Sequence, residues 1–545
     1  MIILIKLLAL GQFSAVKAIY SWPSPRYDAL EELLYEGVGG SSGGASFVNV
    51  VENCKNRTEN PQKTTVAAEW LRFAYHDSAT HNVFNKTGGL DASIIYELDR
   101  PENVGNGLML TQRDYQSFKS DVIALGAVMA VAACGGPIIP FRAGRIDATG
   151  PGVFGVPEPH QSLEAHTESF RLQGFNRSEM ISLVACGHTL GGVSSADFPD
   201  IVSPPNSTAS LPNIRKFDST TAYDTKVVHE YLDGSTQNPL IVARNATLRS
   251  DLLIFSSDNN ATMQSLASPE AFRETCKNLL ERMINSVPQQ VTLGDVTTPL
   301  EGKLKRARLM LKNDQLYFRA EFRLQQKDGD PAQGQGVRLL WCDRYGSTAH
   351  CSDGKAKRAT ASARQPSSRS PVSTQLQLNF HEHEFLVPID PSKSVAAFWF
   401  QLDDGTKFDN NGQGYLFQDA VIYADALSVA SSSIVNNTIW WTYDVVAGVR
   451  TELAPSAVRL MAFDNTRLEG GPPFTANVEM SLNTSFAPRG GYTFYSGSFS
   501  TDLFQTTLDL QAVVGGNTYT EDYRTAFPAF NGVELPPGSV DVVDI

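Results

Sequence analysis

The chain has 545 residues, more than a single hydrophobic core usually serves, so two or three folded units are expected. Its 45 Lys and Arg against 58 Asp and Glu leave a formal charge of -13, and an acidic surface of that kind excludes nucleic acid and anionic membrane as main partners. The six cysteines, none at metal-site spacing, suit an oxidising compartment and leave the pairing open.

The first eighteen residues, MIILIKLLALGQFSAVKA, hold an apolar run of signal-peptide length and end on the small residues Val16 and Ala18, spaced for cleavage before Ile19. Secretion is expected, and sequons at Asn56, Asn85, Asn176, Asn206, Asn245, Asn260, Asn436 and Asn483 fit a glycosylated chain. No later stretch is apolar for long enough to span a bilayer. Residues 37–46, GVGGSSGGAS, read as a flexible loop. From Thr64 to Val287 apolar residues recur at helical spacing, as in TTVAAEWLRFAYHD, SDVIALGAVMAVAAC, EMISLVACGHTL and SPEAFRETCKNLLERMINSV.

Beyond Pro288 the texture changes to short alternating runs such as QLYFRAEFRLQ and YTFYSGSFS, separated by Gly, Pro, Asn and Asp. VRLLWCDRYG (337–346) and VRLMAFDNTR (457–466) are loosely alike and suggest two sandwich-like units. SDGKAKRATASARQPSSRSPVSTQ (352–375) is polar, basic and proline-punctuated, which predicts a long mobile loop. The expected plan is a signal peptide at 1–18, an all-α domain at 19–290, and β-rich units at 291–425 and 426–545.

Within LRFAYHD, Arg72 and His76 stand four apart and share a helix face, so they can address one small substrate. Such a pair is ordinarily a solvated one, but this segment is mostly apolar, and buried polar groups are costly unless something uses them. In SLVACGHTLGG, His188 follows a glycine that lets a flat cofactor approach. Imidazole is a common axial ligand to haem iron, and its other nitrogen needs an acceptor, for which Asp251 in LRSDLLIF is the candidate. Asp77, with the Gly89 carbonyl, Asp91 and Ser93 of GGLDAS, offers hard oxygens of the kind calcium takes.

Together, RFAYHD, GGLDASI, DVIALGAVMAVAACGGPIIPFRAGRIDA, EMISLVACGHTLGG, FDSTTAYDT and LRSDLLIFSSD occur in the order found in the haem peroxidases of plants, fungi and bacteria. Residues 60–287 resemble that superfamily, and its secreted fungal members most of all. The resemblance implies an all-α haem peroxidase domain with one haem b and two calcium ions per chain. It implies that His76 is the distal acid-base histidine, Arg72 the distal arginine, His188 the proximal iron ligand and Asp251 its hydrogen-bond partner. Asp77, Gly89, Asp91 and Ser93 match the distal calcium site, and Thr189, Asp218, Thr220 and Asp224 the proximal one. Asp99 stands where the family has an asparagine accepting from the distal histidine, and a carboxylate there would raise the histidine pKa. Tyr75 takes the distal aromatic position and Phe217 falls near the proximal one. Of the family's manganese carboxylates only Glu69 is matched, Thr65 and Ser194 standing at the others, so no manganese site is expected. Leu183 replaces the surface radical tryptophan of ligninolytic relatives.

The implied reaction is reduction of hydrogen peroxide by way of a ferryl state, with a small organic reductant giving single electrons. The competing assignment is a catalytically silent extracellular haem- or carbohydrate-binding protein, but such a scaffold would not need Arg72, His76, His188 and Asp251 together. Carbohydrate or cell-wall contact is assigned to the β-rich region. Fungal relatives also imply a Cys54–Cys134 bridge; Cys342 and Cys351 would then close a short loop, leaving Cys186 and Cys276 to pair or stay as buried thiols.

Overall fold

The computed structural model describes residues 22, 24–38, 51, 54, 65–114, 120–205, 213–312, 314–327, 336–464, 474–526 and 543–544. The expected signal peptide, most of the glycine-rich loop and the sequons at Asn56 and Asn206 lie outside them.

Helices dominate the first half: α1 (Pro25–Glu36), α2 (Val66–Ser78), α3 (Asn106–Asp114), α4 (Ser120–Ala133), α5 (Leu163–Leu172), α6 (Arg177–His188), α7 (Lys226–Asp233), α8 (Pro239–Val242), α9 (Ser250–Phe255), α10 (Ala261–Ser265) and α11 (Pro269–Ile284). α4 has almost no polar side, which a helix tolerates only when covered all round, and residues 122–132 are all buried. Gly126 makes room for this packing: a Cβ there would stand 2.2 Å from the ring of Trp70, so α2 lies directly on α4. α6 starts on a capping box, in which the Asn176 side chain accepts from Glu179 N and the Glu179 carboxylate accepts from Asn176 N. Three disulfides are present: Cys54–Cys134, Cys186–Cys276 and Cys342–Cys351. The second ties α6 to α11. This half is not purely helical, because Gly192–Ser194 pairs antiparallel with Ile214–Lys216 just beyond α6.

From Gly302 the chain is β-rich. One sheet runs Gly302–Lys312, Gln315–Lys327, Leu378–Ile389, Ala363–Pro366, and a second places Val337–Cys342 between Ala397–Leu402 and Lys357–Thr360. A third is built on Thr438–Arg450 and Tyr492–Thr501, and a fourth places Ala457–Asp464 between Phe474–Glu479 and Thr506–Val514. The two similar segments thus occupy central strands of different sheets.

Among its described residues the β-rich half has two cores, and one strand joins them. Successive side chains of a strand point to opposite faces, and along the second half of Thr438–Arg450, from Val445 to Arg450, both faces are buried. Val446 joins the core of the first two sheets, while Val445, Ala447 and Val449 join the core shared with the fourth. Val421–Tyr423 pairs with this middle strand, so the expected boundary at 425 cuts through one sheet and belongs before 421.

The segment 352–375 is ordered rather than a mobile loop: it supplies two strands and the short helix α12 (Pro371–Gln375). Its serines are used as donors. Ser368 and Ser373 hydroxyls and the Ser370 amide donate to the carbonyls of Glu36 and Tyr35 at the end of α1, and the Gln375 amide donates to the Ala132 and Gly136 carbonyls at the end of α4. Helix ends leave such carbonyls without partners inside the helix, and this segment satisfies them.

α1 is also held by charge. Lys303 and Arg323, both with fully buried side chains, meet the fully buried carboxylates of Glu31 and Glu36, with Lys303 Nζ 2.8 Å from Glu31 and Arg323 Nη1 3.0 Å from Glu36. Burial alone would raise Glu31, but the two cations hold its carboxyl below the ordinary value. Removing one partner of a buried pair leaves an uncompensated charge. Arg323→Leu is therefore expected to cost about 3–5 kcal/mol in urea unfolding of the full chain; a loss under about 1 kcal/mol, the range of surface pairs, would show that the cluster does not hold the two halves together.

Candidate active site

α2 and α6 face each other across a cavity of about 330 Å³, in the size range of cofactor sites, lined by Arg72, Tyr75, His76, His188, Phe217 and Asp251 among others. Gly187 opens onto space, since a Cβ there would meet nothing within 4 Å, and Gly191, at φ +87°, lets the end of α6 approach Ala68 of α2, where a Cβ would lie 2.7 Å away.

On the α2 side, the polar groups fix the state of His76. Asn103 donates through Nδ2 to the Glu97 carbonyl at 2.9 Å, so its Oδ1 points the other way and lies 2.7 Å from His76 Nδ1. That makes Nδ1 the protonated nitrogen and leaves a lone pair on Nε2, which accepts from Arg72 Nε at 3.1 Å. Burial, reinforced by the Arg72 charge, pushes His76 down to about 3, so the ring stays neutral over the ordinary pH range. Arg72 is aimed by Nη2 donating to the Val104 carbonyl at 2.8 Å, and burial pulls its pKa down to about 10. The acceptor at Nδ1 is thus an amide, Asn103, and not Asp99. Asp99 is exposed, because the 3-10 turn Pro101–Asn103 brings the residue four places later inward. No carboxylate raises the histidine, and the expected shift to higher pH falls away.

On the α6 side, His188 Nδ1 lies 2.8 Å from Asp251 Oδ2, which also accepts from Asn238 Nδ2 at 2.7 Å. Phe217 stacks on the His188 ring, 4.1 Å between centroids and 16° between planes. Tyr75 lies against Phe170 of α5, 6.1 Å between centroids, and burial pushes its hydroxyl pKa up. Glu69, Thr65 and Ser194 line the cavity, as does Asp197, which sequence reasoning missed. Leu183 is buried, at 4% exposure, and lines the same wall, so position 183 is not a surface site here.

The two oxygen sets also converge. Asp77 accepts from the backbone of Ala92 at 2.8 Å and Ile94 at 3.0 Å; burial first, then the neighbouring Asp91, pushes it well above the carboxylate range, and the Ser93 hydroxyl is buried without a hydrogen-bond partner. Gly89 closes the same turn, its amide donating to Thr80 Oγ1. On the other side, Thr189 Oγ1 donates to the Asp224 carbonyl at 2.8 Å, while Thr220 Oγ1 lies 3.3 Å from Asp218 and 3.2 Å from Asp224. Asp218 Oδ2 is buried without a partner, and burial pushes the carboxyl up to about 7. Among the described residues no three His, Cys, Asp or Glu side chains form a metal centre. Each set instead joins two carboxylates to hydroxyl and carbonyl oxygens.

Residues 50–269 match the family model described as Peroxidase. The chain is 38% identical over 349 residues to a WSC domain-containing protein of Arthroderma benhamiae, covering 62% of this chain and 47% of that protein. It is 34% identical over 141 residues to the putative L-ascorbate peroxidase 6 of Arabidopsis thaliana (24% of this chain, 43% of that one). It is 32% identical over 133 residues to the mitochondrial cytochrome c peroxidase of Yarrowia lipolytica (22% and 39%). The chain spans less than half the length of each of these three. Residues 50–269 are a peroxidase-family domain, and a β-rich region follows it.

If the site reduces peroxide, Asn103→Leu should slow that reaction about tenfold or more, the size of one lost buried hydrogen bond, with Asp99→Asn staying within about twofold as a surface change. Stopped-flow rates with the two effects reversed would return the role to Asp99.

Proposed function

We propose that the chain is a secreted haem peroxidase that reduces hydrogen peroxide and takes single electrons from a small organic donor. One observation carries the reading: His76 and His188 line the same cavity, and each has its Nδ1 anchored to a buried acceptor, Asn103 or Asp251, which turns the Nε2 lone pair of His76 toward Arg72 and the opposite ring edge of His188 away from Asp251.

The residues fit the group. A neutral imidazole with a carboxylate behind it is a haem ligand of raised basicity, Gly187 leaves room for a flat ring, and Leu183, Leu190 and Phe217 are apolar walls. Haem, when bound, supplies an iron that binds peroxide and stores the oxidising equivalents. His188 would hold it through Nε2, with Asp251 fixing the tautomer. His76 Nε2 would accept a proton from a bound peroxide and return it to the departing oxygen, the haem supplying the electrons. Arg72, fixed beside it, stabilises the negative charge on the departing oxygen. Donor choice falls to the cavity mouth.

The two oxygen sets are proposed as calcium sites, each cation answering an orphaned oxygen, Ser93 Oγ on one side and Asp218 Oδ2 on the other. Secretion is supported by the apolar N-terminal run and the disulfides. Among the described residues no helix is long and apolar enough to cross a membrane. Contact with extracellular carbohydrate is assigned to the β-rich region, where Trp440 is exposed on the hairpin of Val429–Val435 and Thr438–Arg450.

His188→Ala should abolish the haem Soret band or turnover, and His76→Leu should keep haem but slow reaction with peroxide by roughly two to four orders of magnitude. A His188→Ala variant with unchanged spectrum and turnover overturns the function. Metal analysis of the purified chain should find two calcium ions, and chelation should lower the thermal midpoint by roughly 5–10 °C. Absence of calcium, with chelators leaving the midpoint unmoved, refutes both sites.

A further inference from the structure

A third histidine lines the cavity and has no part in the chemistry above. His166 is 2% exposed, on α5, and neither ring nitrogen has a hydrogen-bond partner among the described residues. The inward face of α5 consists of His166 and Phe170, one turn apart, and Phe170 carries the aromatic contact to Tyr75. An apolar side chain would fill such a place at no polar cost. Buried imidazoles normally satisfy at least one nitrogen, and a wholly unsatisfied one calls for a specific explanation. Packing does not provide it, since a leucine of similar bulk would serve. Burial lowers the pKa of the ring, which leaves it neutral with one donor and one acceptor.

We propose that His166 is a cofactor-binding residue: its imidazole hydrogen-bonds the polar periphery of the haem held between His76 and His188. The inference rests on the haem reading given above and extends it to a residue outside the acid-base and axial pairs. Haem is apolar over most of its surface, and its strong hydrogen-bond acceptors are its two carboxylates, so a neutral N–H donor on the cavity wall has a chemically matched partner there. The N–H, without an acceptor among the described residues, finds one on loading, a site that stores instability for binding.

Two measurements on His166→Leu separate this from a merely awkward core residue. In the haem-free chain the substitution should raise the thermal midpoint, because a buried orphan is removed. In the loaded chain it should speed haem loss to an excess of apomyoglobin about tenfold, the loss of one buried hydrogen bond to a charged group. His166→Gln, which keeps a donor, should restore retention to within about threefold of wild type. Haem loss from His166→Leu that is unchanged or slower overturns the proposal, and so does His166→Gln releasing haem as fast as His166→Leu. A wild-type chain that takes up no haem fails differently: it removes the function reading itself, and this proposal with it.

Discussion

A cavity between two histidine-bearing helices persists only if its walls cannot close on it, and the helical half is arranged around that constraint. α6 cannot slide toward α2 because Cys186, two residues before His188, is bridged to Cys276 of α11. α2 cannot tilt because Trp70 lies in the gap left by Gly126 on α4. Phe217 backs one face of His188, and the Asp251 carboxylate, shared with Asn238, fixes its edge. With both supports rigid, the two imidazoles and Arg72, which donates to His76 Nε2, are oriented before any ligand arrives, and preorganised groups do not have to be ordered during a reaction.

The β-rich half reaches this frame through α1 and α12. The contacts are of two kinds: hydroxyls and amides capping the carbonyl ends of α1 and α4, and a buried cluster of Glu31, Glu36, Lys303 and Arg323. Apolar packing joins them, with Val372, Leu378 and Phe380 entering the same core as α4. Buried ion pairs add little net stability over apolar contacts but strongly disfavour any arrangement that separates the charges. The cluster therefore selects one docking geometry.

Placements that follow from helical spacing were legible. Arg72 and His76 share a face because they stand four apart, and His188 was marked by its glycine neighbour. Asn103 was not legible, because in the turns between Glu97 and Val104 no periodicity says which of two polar residues turns inward; that depends on the 3-10 turn and on Glu97 offering a carbonyl to orient the amide. His166 was not singled out in the sequence at all; only the structure shows it buried beside Phe170 on α5. The serine-rich stretch at 352–375 misled on composition, because its hydroxyls serve backbone carbonyls on distant helices, and such pairings leave no trace in local texture. The strand Thr438–Arg450 was not legible as a joint between the β units, because its second half sends Val446 into one core and Val445, Ala447 and Val449 into the other, a division that alternation alone does not reveal.

The position of α1 has a consequence for how the molecule is made. Glu31 and Arg323 are 292 residues apart. At ~5–20 residues per second a ribosome delivers the acid on the order of tens of seconds before the base. During that interval Glu31 and Glu36 have no cation to meet, and carboxylates left so stay in water rather than enter an apolar core. α1 is thus among the last of the described helices to have its buried charges paired. Its carboxylates meet their cations only after the strands that follow the helical half have emerged, so at this point charge pairing runs against the order of the sequence, and a chain truncated before Lys303 would hold α1 by Leu33, Leu34 and Tyr35, with Glu31 and Glu36 lacking these cations.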